Sequence, residues 1–205
     1  MKIQIKISQK LIDYNIAIKL LEKRVEDLRK GKKPELLWVL EHKPIYTAGT
    51  SYNENEILNK KIKVVKTSRG GKITYHGPGQ KVVYFVLDLN KRGKDIKKLI
   101  GHIEKCIMRI LKEFKIKSFK DKQNIGIWVN YNNRINKVAA IGIRVKRWIA
   151  YHGFCINITN KLDVYKKIIP CGIPNKGITN LSLIKKGNYK KINKLIIKNF
   201  LKIFG

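Results

Sequence analysis

Acidic residues are scarce in this chain of 205 residues: 14 aspartates and glutamates stand against 46 lysines and arginines, which gives a net charge of +32. Such an excess is typical of nucleic-acid-binding proteins. However, 38 of the 46 are lysines scattered through every segment, whereas arginine, which makes bidentate contacts with bases and phosphates, is rare. Lysine, isoleucine and asparagine are abundant together, as an AT-rich coding sequence would produce. Composition therefore favours drift over a selected nucleic-acid surface.

Cysteines and long apolar runs are also few. The three cysteines, Cys106, Cys155 and Cys171, are widely spaced and form no CxxC pair, so we expect neither a disulfide framework nor a metal site. No stretch approaches the roughly 18 consecutive apolar residues that a membrane helix needs. The first seven residues alternate like an edge strand and lack the apolar core of a signal peptide. The sequence therefore predicts a soluble, cytoplasmic protein with no membrane partner.

Apolar residues recur at helical spacing in three segments. The first begins after Ser8, a plausible N-cap, and is closed by Gly31. The second is Asp95–Phe114, and the third is the lysine-rich segment Tyr189–Ile203. Each has one apolar face, so each is predicted to be an amphipathic helix that packs on a sheet.

Shorter apolar segments are predicted to be strands. Glu35–Glu41 is nearly continuous in apolar residues and is predicted to be buried on both faces. The other predicted strands are Ile45–Ala48, Lys63–Thr67, Lys81–Leu89, Asn124–Val129, Arg134–Val145 and Trp148–Ile158. Short turns join the last three, which indicates antiparallel neighbours. With no repeat or linker, residues 1–205 are predicted to form one α/β domain (α+β type) with a mixed, largely antiparallel sheet and packed helices.

The most informative segment is Arg69-Gly-Gly-Lys-Ile-Thr-Tyr-His-Gly-Pro-Gly-Gln80, which has four glycines in twelve residues and leads into a buried strand. Glycine lets the backbone approach a ligand closely, so a small-molecule site is one interpretation and a plain connector is the other. Three further blocks follow: Asn136-Lys-Val-Ala-Ala-Ile-Gly-Ile143, Tyr151-His-Gly-Phe154 and Ile169-Pro-Cys-Gly172. In this order and spacing, the four blocks resemble the lipoyl(octanoyl) transferases, over about residues 37–183.

The resemblance implies an acyltransferase with the fold of the lipoate and biotin protein ligases. Such an enzyme moves an octanoyl or lipoyl group from acyl carrier protein to a lysine of lipoyl domains, including those of 2-oxoacid dehydrogenase complexes and the glycine cleavage H protein, through a cysteine thioester. No cofactor is implied, because octanoyl-acyl carrier protein is itself the activated donor. The residues implied to bind substrate are Arg69, Gly70, Gly71, Lys72, Ile73, Thr74, Tyr75, His76, Ala140, Ile141, Gly142, Gly153, Phe154 and Cys155. Small residues at Ala139, Ala140 and Gly142 are predicted to leave room for the alkyl chain.

Cys171 occupies the position of the family's nucleophile. It stands between Pro170 and Gly172, where a side chain can be exposed and rigidly aimed. A thiolate suits this chemistry, because exchange between thioesters is near-isoenergetic and the product remains reactive toward an amine. Cys106 and Cys155 lie in apolar surroundings, and packing is the more ordinary interpretation for both.

Histidine is the usual base for a cysteine nucleophile, and His76 and His152 are candidates from their contexts, whereas His42 and His102 are predicted to lie at the surface. Lys137 is the other candidate. It is the only charged residue among the odd positions from Ile135 to Val145, so strict alternation would point it into the core or a pocket, although a lysine at a strand end can also snorkel to water. The resemblance decides for Lys137 as the base that lowers the Cys171 pKa, and leaves His76 as pocket wall or hydrogen-bond donor. Arg69 is predicted to form a structural salt bridge or to contact the donor's phosphopantetheine.

Two other functions remain as alternatives. An ATP-dependent lipoate– or biotin–protein ligase would share the fold but would not need the cysteine of Pro-Cys-Gly. A basic nucleic-acid-binding domain would need patterned stacking residues, which the sequence does not contain, so no specific nucleic-acid partner is predicted. The acyltransferase, as a monomer, is the favoured interpretation.

Overall fold

The central feature of the computed structural model, which describes residues 2–170 and 176–205, is an eight-stranded mixed sheet. Its order is β1-β2-β6-β10-β9-β8-β7, and β11 also pairs with β9. A smaller sheet has the order β4-β3-β5. The strands are β1 (Ile3–Ile7), β2 (Glu35–Leu40), β3 (Ile45–Ala48), β4 (Val64–Lys66), β5 (Ile73–His76), β6 (Gln80–Asp88), β7 (Phe119–Lys120), β8 (Ile127–Tyr131), β9 (Arg134–Lys146), β10 (Ile149–Asn157) and β11 (Gly177–Ile178). Most neighbours are antiparallel, so the predicted fold class is confirmed.

Helices cover both faces of the large sheet. They are α1 (Tyr14–Arg29), α2 (Ile96–Glu113), α3 (Leu181–Ile184) and α4 (Ile192–Phe204). The apolar stripe of α1 packs on one face against β2, β6 and β10. The stripes of α2 and α4 pack on the other face against the same three strands and against β8 and β9. The three long helices are therefore those that the apolar spacing predicts, and burial of their apolar stripes on the sheet holds them in place.

The three strands β8, β9 and β10 form consecutive hairpins, as the short turns predict. Asn132 and Asn133 in the first turn, and Arg147 and Trp148 in the second, all have positive φ. Two central residues with positive φ give a type I′ turn, whose twist matches the right-handed twist of the flanking strands. Local turn chemistry favours the first turn, because asparagine tolerates positive φ, whereas the pairing of β9 with β10 holds Arg147 and Trp148 in the second.

The start of α1 differs from the prediction. Asp13, not Ser8, is the N-cap, and its carboxylate accepts hydrogen bonds from the backbone N–H groups of Asn15 and Ile16. Ser8 instead follows strand β1 and accepts a hydrogen bond from Trp38 Nε1 at 2.9 Å. Either residue type can cap a helix, and the pairing of β1 with β2 decides between them, because it holds residues 3–7 in a strand.

Four short elements were not predicted: β5, β7, β11 and α3. Strand β5 lies inside the glycine-rich segment and pairs with β3. Each has only two to four residues, too few to show a period in the sequence, so long-range pairing defines the three strands. Among the described residues, no helix is long and apolar enough to cross a membrane.

Candidate active site

A cavity of about 580 Å³ lies between the glycine-rich segment and strands β9 and β10. Strand β8 pairs with β9 only as far as Ala139. The carbonyl of Ile143, further along β9, is therefore free of β8 and available to the glycine-rich segment. The backbone N–H of Gly70 donates to this carbonyl at 2.9 Å. A β-carbon on Gly142 would lie 3.1 Å from Gly70 O and 3.3 Å from Arg69 Cδ. Gly142 therefore allows the loop to close over the strand, as well as keeping the cavity wall small.

Twelve of the fourteen residues predicted to bind substrate line this cavity. The two exceptions are Ile73 and Tyr75, which face the other side of β5 and pack with Tyr165 and Ile168. Their alternation with Thr74 and His76 follows from the period of the strand. The prediction did not include several further lining residues, namely Ser51, Val82, Tyr84, Ile100, Gln123, Asn124, Ile125, Ile143 and His152. Ile143 and His152 stand inside two of the four motifs, whereas Ser51, Ile100 and residues 123–125 come from segments that no local pattern marks.

Lys137 lines the same cavity and is 6% exposed. Strand β8 pairs Ile127 with Ala139 and Trp128 with Lys137, so Val138 has no partner on β8 and forms a β-bulge. Val138 and Ala139 both pack in the core beneath α2, which leaves Lys137 on the cavity side with Trp128. Lys137 points into a pocket, as the sequence predicts, but it does not share a face with Ala139, because the bulge reverses the alternation between them.

The amine of Lys137 has a defined environment. Its Nζ donates to the carbonyl of Ile125 at 3.1 Å and lies 4.6 Å from the centroid of the Trp128 ring. The Nζ of Lys176 lies 4.7 Å from the centroid of the same ring and pairs with Asp121. Among the described residues, Lys137 has no carboxylate partner within 4.0 Å. The carbonyl and the aromatic face hold the amine of Lys137 at the cavity wall, where it can contact a group in the cavity.

Cys171, the predicted nucleophile, lies outside the described residues. The chain on either side of it is anchored near the cavity. On one side, the N–H of Ile169 donates to Glu56 O at 2.7 Å. On the other side, Ile178 is the register partner of Lys137, and the N–H of Thr179 donates to Lys137 O at 3.0 Å. Residues 177–179 therefore run beside Lys137.

Arg69 is buried at the cavity wall. Its Nη2 donates to the carbonyl and hydroxyl oxygens of Thr47 at 2.8 and 2.9 Å, and its Nη1 donates to Gly70 O at 3.1 Å. The ion pairs of the described residues do not include Arg69, so the predicted salt bridge is not found there. The positive charge is balanced by neutral oxygens only, which leaves it available to polarise a ligand.

The histidines differ from one another in burial. His42 is fully buried, contrary to the prediction of a surface position, because its ring bridges Ile12 and Tyr84. Burial lowers the pKa of His42 from 6.5 to about 4. Burial, with the neighbouring His42 and Arg69 charges, lowers the pKa of His76 to about 3. A neutral imidazole with so low a pKa is a poor base at neutral pH.

His152 is the third buried histidine, and it lines the cavity with a φ of +66°. Its ring stacks on Tyr151, and neither ring nitrogen has a hydrogen-bond partner among the described residues. Burial, followed by the charges of Arg69 and Arg144, lowers its pKa to about 3. His102, by contrast, is partly exposed on α2.

The two described cysteines also differ. Cys106 is fully buried in the core beneath α2, and burial raises the pKa of its thiol to about 12. Such a thiol is not a nucleophile at neutral pH. Cys155 lies opposite Ala140 on β10 and has a role both in packing and in lining the cavity. No cluster of three or more metal-ligating side chains is present within residues 2–170 and 176–205.

The family of this chain is defined by comparison with known proteins. The model of the lipoyl protein ligase A/B catalytic domain matches residues 13–201, and the chain belongs to that family. Two solved members of the ligase class share its fold at low identity. A bipartite lipoate protein ligase from Thermoplasma acidophilum superposes with a TM-score of 0.72 at 11% identity, covering 99% of this chain and 84% of that one. A lipoate-protein ligase A bound with ATP gives 0.71 at 13% identity, covering 97% and 84%.

Within the family, the chain is similar to octanoyltransferases along its whole length. It is 43% identical over 200 residues to the octanoyltransferase of Wolbachia sp. subsp. Brugia malayi (strain TRS), covering 97% of this chain and 98% of that protein. It is 42% identical over 208 residues to that of Anaplasma phagocytophilum (strain HZ), covering all of both chains. The protein is accordingly an acyltransferase that carries out octanoyl transfer in protein lipoylation.

Proposed function

We propose that the octanoyl group passes from acyl carrier protein to a lysine of a lipoyl domain through a thioester on Cys171. Lys137 is the observation that carries this proposal. It is a buried lysine without a carboxylate partner among the described residues, it lines a cavity of acyl-chain size, and it lies beside the strand that follows Cys171. Octanoyltransferase relatives and a ligase structure solved with its E2 lipoyl domain support the choice of acceptor.

The first half-reaction forms the octanoyl-enzyme. Lys137 takes the proton of the Cys171 thiol, and the thiolate attacks the thioester carbonyl of the donor. The new C–S bond forms, the bond to the donor's sulfur breaks, and the departing thiolate takes the proton back from Lys137. The Trp128 ring and the Ile125 carbonyl stabilise the ammonium form of Lys137 between these steps.

The second half-reaction forms an amide. The amine of the acceptor lysine attacks the carbonyl of the octanoyl-enzyme, and the bond to Cys171 breaks. Lys137 takes the proton that the amine loses and passes it to the departing thiolate, so both groups return to their starting state. The acyl chain lies beside the small residues Ala140 and Gly142 of the cavity wall, and burial of each methylene contributes about 0.8 kcal/mol.

The nucleophile can be tested by mass spectrometry of the intact protein. After incubation with octanoyl-acyl carrier protein and no ATP, we expect one octanoyl group, labile to hydroxylamine, on the wild-type protein. Cys171→Ser should lose the label and all transfer, whereas Cys106→Ser should keep both, because Cys106 is sealed in the core. Normal turnover by Cys171→Ser would contradict the thioester mechanism, and a requirement for ATP would favour a ligase.

Several finer expectations belong to the same proposal. Residues 1–205 act as a single catalytic domain, and the enzyme works as a monomer without a cofactor. Lipoyl domains of 2-oxoacid dehydrogenase complexes and the glycine cleavage H protein are the acceptors. A cytoplasmic location stays a prediction.

A further inference from the structure

A directed chain of hydrogen bonds runs from the strand beside Lys137 to His76. It begins at the backbone carbonyl of Thr179, which can only accept, so the group of Asn157 that contacts it at 2.9 Å is the amide Nδ2. The Oδ1 of Asn157 therefore faces Gln80 and accepts from Gln80 Nε2 at 2.8 Å. The same Nε2 contacts the carbonyl of Tyr75, a second obligatory acceptor, at 3.3 Å. Two backbone carbonyls thus fix the orientation of both amides.

This chain determines the tautomer of His76. Because Gln80 directs Nε2 toward Asn157 and Tyr75, its Oε1 is the atom 2.6 Å from His76 Nδ1. An amide oxygen only accepts, so Nδ1 carries the proton and Nε2 carries a lone pair. His76 lines the cavity, and its Nε2 has no hydrogen-bond partner among the described residues. Since the pKa of His76 is lowered to about 3, Nε2 stays unprotonated at neutral pH.

Tyr84, on the neighbouring strand, is constrained in the same way. The carbonyl of Ile12 fixes the proton of His42 on Nδ1, at 2.9 Å. His42 Nε2 must then accept from the Tyr84 hydroxyl, at 2.8 Å. The single proton of that hydroxyl is therefore used, and its oxygen offers the cavity only lone pairs. His76 and Tyr84 together present an acceptor wall, defined as His76 Nε2 and Tyr84 Oη.

These two hydrogen-bond acceptors favour a ligand that donates hydrogen bonds. The thioester carbonyl and sulfur of the acyl donor have no N–H or O–H group, and the acyl chain has none. The attacking amine of the acceptor lysine has N–H groups, and it must keep its own lone pair directed at the carbonyl. When hydrogen-bond acceptors hold the N–H groups of this amine, its lone pair points away from them and toward the thioester carbonyl.

We propose that His76 Nε2 binds the N–H of the acceptor lysine's amine and aims its lone pair at the octanoyl-enzyme. This inference rests on the proposed thioester mechanism. It assigns His76 the role of a hydrogen-bond acceptor, in place of the donor role that the sequence suggested, and this acceptor acts in the second half-reaction only. The donor's pantetheine arm also carries amide N–H groups, but contact with these would affect the first half-reaction.

The two half-reactions can be measured separately on the full chain. Octanoyl-enzyme formation is followed by intact mass with octanoyl-acyl carrier protein alone, and transfer is followed in a single turnover after a lipoyl domain is added. In His76→Phe, which keeps a ring but has no acceptor, we expect transfer to slow about tenfold more than formation, the effect of one buried hydrogen bond. His76→Gln, whose Oε1 can accept, should recover most of the loss.

The control is His102→Phe, because His102 lies on α2, outside the cavity, against Phe204. It should leave both rates within about twofold of wild type. If His76→Phe does not fold, His76→Leu against His76→Gln gives the same comparison. Equal slowing of both steps, slowing of formation alone, or no slowing would overturn the role of His76. Absence of any octanoyl-enzyme in the wild type would instead contradict the thioester mechanism.

Discussion

At the scale of single residues, the proposed mechanism depends on how the amine of Lys137 is held. Lys137 is placed by a bulge, by the Ile125 carbonyl and by the Trp128 ring, and none of these contacts supplies a negative charge. Arginine could keep the positive charge and the aromatic contact but cannot release a proton at working pH. The distinction between a base and a fixed cation is therefore testable at this position.

Lys137→Arg is expected to be nearly inactive if Lys137 is the base. The pH dependence of Cys171 alkylation should shift to higher pH in Lys137→Ala and stay nearly in place in His76→Gln, because His76 is already neutral. A shift in the histidine variant with none in the lysine variant would show that the base has been assigned to the wrong residue.

Gly126 is a second position where one atom decides the geometry. It has φ +136°, and a β-carbon there would lie 3.1 Å from Lys137 Cε and 2.9 Å from Ala139 O. Gly126→Ala should therefore displace the lysine and lower transfer at least tenfold. Gly93→Ala is a matched control, since Gly93 also has positive φ (+85°) but a β-carbon there would meet open space within 4 Å. Similar activity losses in the two variants would attribute the effect to backbone strain rather than to Lys137.

At the scale of elements, strand β9 carries the proposed base, Lys137, and also forms part of the cavity wall. Lys137 stands on one side of the bulge at Val138, and Ala140 on the other, opposite Cys155. Both side chains point into the cavity because the bulge adds one residue between them. A regular strand would have placed them on opposite faces.

Ala140→Leu should shorten the cavity. Transfer of octanoyl is expected to fall roughly tenfold more than transfer of butanoyl, because about two methylenes lose their buried contacts at about 0.8 kcal/mol each. Competition between the two acyl donors, measured as the ratio of kcat/KM, provides the test. Ile135→Leu on the same strand is the control, because Ile135 is 39% exposed, contrary to its predicted place on an apolar face. An unchanged ratio would show that the acyl chain lies elsewhere.

At the scale of the whole molecule, three buried histidines make stability depend on pH. Burial lowers the pKa of His42 to about 4, and of His76 and His152 to about 3, from an ordinary 6.5. At a pH between the lowered pKa of each histidine and 6.5, the unfolded chain binds a proton at that histidine and the folded chain does not. The free energy of unfolding therefore has its full value above pH 6.5. It decreases as the pH falls toward 4, by about 1.4 kcal/mol per pH unit for each histidine.

His42→Gln should flatten this dependence. Between pH 7 and pH 5, the fall in the free energy of unfolding is expected to be smaller than in wild type by about 2 kcal/mol, because one fewer buried imidazole must be protonated. Urea unfolding at the two pH values measures the difference. His102→Gln, at a partly exposed position, should leave the fall unchanged. A steeper fall in His42→Gln would contradict the burial of a neutral imidazole.

The sequence by itself determined the class of the fold, the long helices and most strands, and it identified the family, which the comparisons confirm. These features depend on periodicity, turn residues and residue identity, which are local. Only the tertiary structure decided the face of Lys137, the burial of His42 and the cap of α1, because strand register and contacts between distant segments set them. The direction of the hydrogen bonds at His76 is likewise a tertiary property, since it follows from the carbonyl of Thr179, about a hundred residues away in the chain.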